Sequence, residues 1–98
     1  MTEEIAISVV APVYNEKDSL VRLRDEVITA LEPLNRPFEV IFVNDGSHDG
    51  SEQVLDDLAR DPRIKVIHFR RNFGQSAALM AGFDHASGRV VVSLDADL

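Results

Sequence analysis

The stretch FEVIFVNDGSHDGSEQVL, residues 38–55, changes character twice. A β-branched, apolar run from Phe38 to Val43 gives way to Asn44-Asp45-Gly46-Ser47, and an amphipathic segment follows. The run is short and nearly continuous, the pattern of a strand covered on both faces. Asp49 and Glu52 make a capping-box-like pair ahead of Val54, Leu55 and Leu58, so the spacing predicts a helix there. A buried strand, a polar turn and a capped helix in succession are the repeating unit of a parallel sheet.

The same unit recurs on either side. Ile5–Ala11, Ile64–Phe69 and Arg89–Leu94 are three more short apolar runs. A helix is expected after the first, with Leu20, Leu23, Val27 and Leu31 at helical spacing, Asn15 as N-cap and Pro33 near its end. Another runs from about Gln75 to Ala86 and is rich in small residues, among them Ala77, Ala78, Ala81 and Gly82. Glycine lowers helix propensity, so Gly82 predicts close packing against the sheet. The order β-α-β-α-β-α-β places the chain in the α/β class, a parallel β-sheet with right-handed crossovers. Its 98 residues make one domain, 1–98, with no internal repeat, low-complexity segment or linker.

Composition narrows the function. A formal net charge of −7 argues against nucleic acid as partner, because phosphate-backbone binding needs clustered Lys and Arg. The chain has no cysteine, which excludes disulfides and thiolate metal sites. No apolar run approaches the roughly 20 residues that cross a bilayer, and no basic segment precedes a signal-like core.

In a parallel sheet the strand C-terminal ends share one edge, and ligands bind in the crevice there. The four runs lead into Pro12-Val13-Tyr14-Asn15-Glu16, Asn44-Asp45-Gly46-Ser47, Arg70-Arg71-Asn72-Phe73-Gly74 and Asp95-Ala96-Asp97. Glu16, Asp45, Asp95 and Asp97 are therefore expected on one edge, where mutual repulsion calls for a cation. Mg²⁺ or Mn²⁺ bridging to a substrate phosphate meets that need, since both take oxygen ligands and one or two carboxylates. Asp95 and Asp97 lie two apart in an extended segment and share a face. Taken alone, an Asp-x-Asp pair is common and more often reads as solvated residues heading a loop; its convergence with Asp45 and Glu16 on one edge favours the metal. The glycines at 46 and 50 lack a P-loop lysine, and no G-x-G-x-x-G follows the first strand. Tyr14 is a candidate for stacking on a base or a half-buried rim aromatic, and Arg70 and Arg71 are candidates for phosphate or for solvent. His48, His68 and His85 form no ligand-spaced cluster.

Together, VVAPVYNEKDSL, FEVIFVNDGSHDGS, RRNFGQSAALMAGFDHASG and VVVSLDADL resemble the nucleotide-binding half of family 2 glycosyltransferases with the GT-A, Rossmann-like fold. The resemblance covers the whole chain in order and spacing. Its third block, Arg-Asn-Phe-Gly-Gln followed by Ala-Gly-Phe, looks like the branch that glycosylates polyprenyl phosphates. The resemblance implies a strand order of 3-2-1-4, with helices on both faces of the sheet. It assigns Pro12, Tyr14 and Glu16 to the nucleoside, Val43 and Asp45 to base and ribose, and Gln75 to a branch-typical position. Asp95, Ala96 and Asp97 match the D-x-D segment, with Asp97 as the direct metal ligand and Asp95 nearer the sugar or ribose. Asn44 departs from the pattern, since many relatives carry aspartate there.

The resemblance further implies a UDP- or GDP-linked sugar donor, Mg²⁺ or Mn²⁺, and a polyprenyl phosphate whose oxygen attacks the anomeric carbon. An ionised phosphate is already a nucleophile and needs no strong general base. On this view the chain is the N-terminal half of a longer, membrane-associated enzyme on the cytoplasmic side, cut after the D-x-D segment and inactive alone. A polysaccharide-forming transferase with a hydroxyl acceptor and an inert nucleotide-binding module are the alternatives. A phosphoacceptor domain is excluded, because its acid pair belongs after the first strand and its phosphoacceptor after the third. The order 3-2-1-4 also leaves Val90, Val91, Val92 and Leu94 on an unprotected apolar edge, from which an antiparallel two-fold dimer is expected.

Overall fold

The computed structural model describes residues 4–96. Its strands are β1 (Ile7–Val13), β2 (Phe38–Asn44), β3 (Ile64–His68) and β4 (Val90–Ser93). They form one parallel sheet in the order β3-β2-β1-β4, as expected from the resemblance. The helices are α1 (Leu20–Leu31), α2 (Ser51–Leu58) and α3 (Gln75–His85).

Alternation along the strands sorts the core into two layers. Val9, Ala11, Val13, Val40 and Phe42 point to one face, where Leu20, Leu23 and Val27 of α1 and Leu55 and Leu58 of α2 cover them. Val10, Ile41 and Val43 point to the other and meet Ala78 of α3. Both faces of β2 are thereby sealed, and all its residues are buried. Gly82 behaves as its sequence context predicts. A Cβ there would overlap Val10 Cγ1 far inside van der Waals contact, so the bare helix backbone lies directly on β1.

Several boundaries differ from expectation. The first strand is displaced by two residues and includes Pro12. The β4 amides of Val90 and Leu94 bond the carbonyls of Ala6 and Val10, so the even-numbered residues of β1 face β4. Pro12 thus turns its missing N–H toward β4 beyond the last paired residues, Val10 and Ser93, where no ladder bond is lost. Asn15 does not cap the first helix. It takes a left-handed conformation (φ 53°), and a 3-10 turn at Lys17–Ser19 leads into α1. Gly50, not Asp49, occupies the α2 cap position. Val90, Val91 and Val92 lie exposed on the sheet edge as expected, but Leu94 is half-buried against the α1–α2 face.

One buried charge braces the end of the sheet away from the cleft described below. Glu39 is 1% exposed. Its Oε2 accepts bonds from Ser8 Oγ (2.6 Å) and the Ser87 amide (2.7 Å), and its Oε1 from Lys65 Nζ (2.6 Å). The Gly88 amide adds a bond to Ser8 Oγ, so the turn before β4 is tied to β1, β2 and β3. Burial pushes the Glu39 carboxyl up, but the bonds from Lys65, Ser8 and Ser87 outweigh it and hold the group below its ordinary range.

Candidate functional site

The four turns after the strands meet at one edge. Pro12, Val13, Tyr14, Glu16, Asp45, Gln75, Asp95 and Ala96 line a cleft of about 300 Å³ there. Of the residues singled out in the sequence, the structure brings seven together. Val43 is not among them, being fully buried beneath α3 with Val10 and Ile41. Asp97 lies outside the described residues. A larger hollow of about 550 Å³ opens at the opposite end of the sheet, but its Arg63 and Lys65 are already bonded to Asp61, Glu32 and Glu39.

Asp45 builds the cleft rather than merely lining it. Only 3% exposed, it accepts the Phe73 amide on Oδ1 (2.7 Å) and the Gly74 amide on Oδ2 (3.1 Å). Asn72 Nδ2 donates to the same Oδ2 (3.0 Å) and to the Asp45 carbonyl (3.2 Å). The end of β2 thereby holds the turn that opens α3. Gly46 permits the approach, because a Cβ there would collide with the backbone of Arg71 and Asn72. α3 then starts at Gln75, whose Nε2 donates to Asp95 Oδ1 (3.3 Å), joining the ends of β2 and β4. Arg71, a candidate phosphate ligand from sequence, has its guanidinium 4.7 Å from the centre of the Phe73 ring.

A second clasp fixes Tyr14 and Glu16. The Asn15 amide donates to Ser47 Oγ (3.0 Å), and Asn15 Oδ1 accepts the His48 amide (2.8 Å). The Lys17 amide donates to Asp49 Oδ2 (3.1 Å), and the Ser51 amide and hydroxyl donate to Asp49 Oδ1. Burial is the largest single influence on the Asp49 carboxyl and raises it; the Ser51 hydroxyl and the Lys17 and Ser51 amides together more than offset it and leave the group below its usual range. These residues were not legible as site residues. The only signals were an asparagine inside the first turn and a cap-like aspartate.

The electrostatics of the cleft point to a cation. Its lining includes three carboxylates and no Lys, Arg or His. Asp45 is satisfied by its amide donors, whereas Glu16 and Asp95 have no cationic partner among the described residues. Hard oxygen donors of this kind fit Mg²⁺ or Mn²⁺ with phosphates completing the shell. Tyr14 is 45% exposed at the rim of the cleft.

Among the described residues a different group, Glu52, Asp56 and His68, brings three possible ligand atoms within 4.8 Å of one another. It lies outside the cleft, between α2 and β3. The Ser47 amide donates to Asn44 Oδ1 (3.0 Å), which turns Asn44 Nδ2 toward His68 Nδ1 (3.0 Å). His68 Nδ1 is then the acceptor, and Nε2 carries the proton it donates to Asp56 Oδ1 (2.7 Å). A metal-bound imidazole needs a free lone pair on one ring nitrogen, and here Nδ1 accepts from Asn44 while Nε2 carries the proton given to Asp56. With both ring nitrogens engaged, the network makes this a hydrogen-bonded relay rather than an open ligand set.

Comparison with known proteins agrees with this geometry. The glycosyl transferase family 2 model matches residues 8–98. The chain belongs to glycosyl transferase family 2. This family 2 chain is 48% identical, over 94 residues, to the undecaprenyl-phosphate 4-deoxy-4-formamido-L-arabinose transferase of Aeromonas hydrophila, covering 94% of its own length and 29% of the relative's. It thus spans under a third of the curated relatives it matches. The mannosyltransferase PcManGT from Pyrobaculum calidifontis, solved with GDP-Man and Mn²⁺, superposes with a TM-score of 0.83 at 27% identity, over 98% of this chain and 28% of that one. Staphylococcus aureus TarS 1-349, solved with UDP-GlcNAc, gives 0.83 at 26% identity, over 95% and 27%. The four-stranded sheet with order 3-2-1-4 is the GT-A arrangement.

Proposed function

We propose that this chain is the donor-nucleotide unit of an enzyme that transfers a sugar from a UDP- or GDP-linked donor to a polyprenyl phosphate. The observation that carries this is the acidic cleft at the strand ends, where among the described residues Glu16 and Asp95 have no cationic partner and no basic side chain joins the lining. The names of similar relatives such as the Aeromonas hydrophila protein, an undecaprenyl-phosphate transferase, support the acceptor class. The neighbours solved with GDP-Man and with UDP-GlcNAc support the donor class, and the first supports Mn²⁺.

In this assignment Pro12, Tyr14 and Glu16 bind the nucleoside, held in place by the Asn15–Ser47–His48 clasp. Asp45 supports the base and ribose side by fixing the Asn72–Gly74 turn, and Val43 acts from beneath as packing. Gln75 orients Asp95, and within the Asp95-Ala96-Asp97 segment Asp97 and Asp95 are assigned as the metal carboxylates. A bound Mg²⁺ or Mn²⁺ would neutralise charge on the departing diphosphate. The phosphate acceptor is ionised at neutral pH, so the cleft needs alignment more than a base. A lipid acceptor implies that the whole enzyme works at a membrane, and the cytoplasmic side is carried over from the family resemblance. Among the described residues no helix is long and apolar enough to cross one.

The test is transfer by the whole enzyme containing this unit. Asp97→Asn is expected to abolish transfer to polyprenyl phosphate while the circular dichroism spectrum and melting curve stay unchanged. Activity near that of the unaltered enzyme would remove Asp97 from the metal site.

A further inference from the structure

Ser8, Glu39, Ser87 and Gly88 hold the start of β4 and lie outside the cleft lining, yet Asp95 follows the far end of the same strand. Ser8 and Glu39 are buried on the α3 side of the sheet. A hydroxyl has one proton and two lone pairs. The Ser8 proton goes to Glu39 Oε2 (2.6 Å), which leaves the Ser8 oxygen to accept the Gly88 amide (2.8 Å). The Ser87 amide donates to the same Glu39 oxygen (2.7 Å). Gly88 lies so close to the Ile7–Ser8 peptide that a Cβ would stand 2.6 Å from both the nitrogen and the Oγ of Ser8.

The valines of β4 do not fix its register by themselves. Val90 and Val92 pair with Ile7 and Val9, and Leu94 and Ala96 continue on the same α1–α2 side. A slip of one residue would turn Ser93 and Asp95 into that layer, which the pattern forbids. A slip of two residues toward the cleft exchanges apolar for apolar: Val90 for Val92, Val92 for Leu94 and Leu94 for Ala96. It would carry Asp95 about 6–7 Å along the strand and break its bond from Gln75. The same slip would bring Ala86 to the place of Gly88, where no Cβ fits, and would pull both amides off their buried acceptors.

We propose that the Ser8–Glu39–Ser87–Gly88 knot is the register pin of β4 and, through the strand, a positioning site for Asp95 in the cleft. The pinning follows from contacts within the chain. Its consequence for Asp95 rests on the function proposed for the cleft.

Scalar couplings across two hydrogen bonds of the isotope-labelled chain test it. Leu94 N–H to Val10 C=O reports the β4–β1 ladder, and Asp45 N–H to Val13 C=O reports the end of β2 on β1. Gly88→Ala and Ser8→Ala are expected to weaken or abolish the first coupling and leave the second. Both are expected to lower Mn²⁺ affinity in the presence of UDP or GDP by about tenfold. Ser8→Ala removes one oxygen and adds no bulk, so it decides the matter if Gly88→Ala does not fold. Ile64→Val and Ile64→Ala are core truncations in β3, with β2 and β1 between them and β4, and they bracket the loss of stability. Both are expected to keep the two couplings and the Mn²⁺ affinity. A Leu94–Val10 coupling unchanged in the pin variants would overturn the pin. Mn²⁺ affinity that survives loss of this coupling, or that falls equally in an Ile64 variant of matched melting temperature, would overturn the positioning role. A chain whose coupling responds as expected but which binds no Mn²⁺ with either nucleotide would count against the cleft assignment and leave the register pin standing.

Discussion

Replacing Asp45 by asparagine keeps the shape of the side chain and removes one acceptor. The carboxylate receives the Phe73 amide on one oxygen and the Gly74 amide and Asn72 Nδ2 on the other. An asparagine has one carbonyl oxygen, so whichever way it turns, its NH₂ faces at least one of these donors. A buried amide that loses its partner costs about 1–3 kcal/mol, and each surviving bond loses about 1 kcal/mol when its acceptor is no longer charged. With one donor lost and two bonds weakened the sum is about 3–5 kcal/mol, a large part of the 5–15 kcal/mol typical of a whole domain. At about 4–8 °C per kcal/mol for a chain of this size, the melting temperature drops by roughly 10–40 °C. Tyr14→Ala is the contrast. Its ring is half out of the fold, so stability is expected to change by less than about 1 kcal/mol while affinity for UDP or GDP falls. Urea unfolding followed by circular dichroism, paired with calorimetric nucleotide titration, measures both. An Asp45→Asn protein within about 1 kcal/mol of the unaltered chain would refute the scaffold role drawn from these bonds.

Glu39→Gln is expected to cost about 1–3 kcal/mol at neutral pH, by removing the charge that Lys65, Ser8 and Ser87 serve. Because the folded carboxyl lies below its ordinary value, its contribution is complete above the unfolded pKa of about 4.3 and is lost as pH falls through the folded value. Urea unfolding from pH 7 to pH 3 checks this, and the gap between the two proteins should close only at the acid end. Gly82→Ala gains helix propensity but forces a methyl into Val10, and a net loss of about 1–3 kcal/mol is expected in the same assay.

The strands and their parallel sense were legible because short β-branched runs alternate with helical segments, whereas their order came from the family resemblance, since that alternation alone leaves several orders open. The cleft was legible for a related reason: a parallel sheet delivers every strand-end turn to one edge, so Pro12, Glu16, Asp45 and Asp95 could be grouped without coordinates. Partners were harder. Nothing near Asp45 in sequence says that its carboxylate closes on Asn72–Gly74, since that bond forms only when two loops distant along the chain meet. Asn15 resembled a helix cap because asparagine serves caps and left-handed turns alike, and only its φ of 53° separates them. Val43 was placed by resemblance beside the nucleoside, but the alternation of β2 turns it under α3. Glu39 passed unnoticed inside an apolar run because its neutralising partners come from β1, β3 and the turn before β4.

The central claim is that metal and nucleotide meet in the strand-end cleft and not at the Glu52–Asp56–His68 group. Mn²⁺ is paramagnetic and broadens the amide resonances of nearby residues, so a titration of the ¹⁵N-labelled chain with Mn²⁺, with and without UDP or GDP, locates it. Broadening at residues 12–16, 45, 75 and 95–97 that strengthens when the nucleotide is present, and that Asp95→Asn removes, is the predicted result. Broadening centred on residues 52, 56 and 68, indifferent to nucleotide, would contradict it.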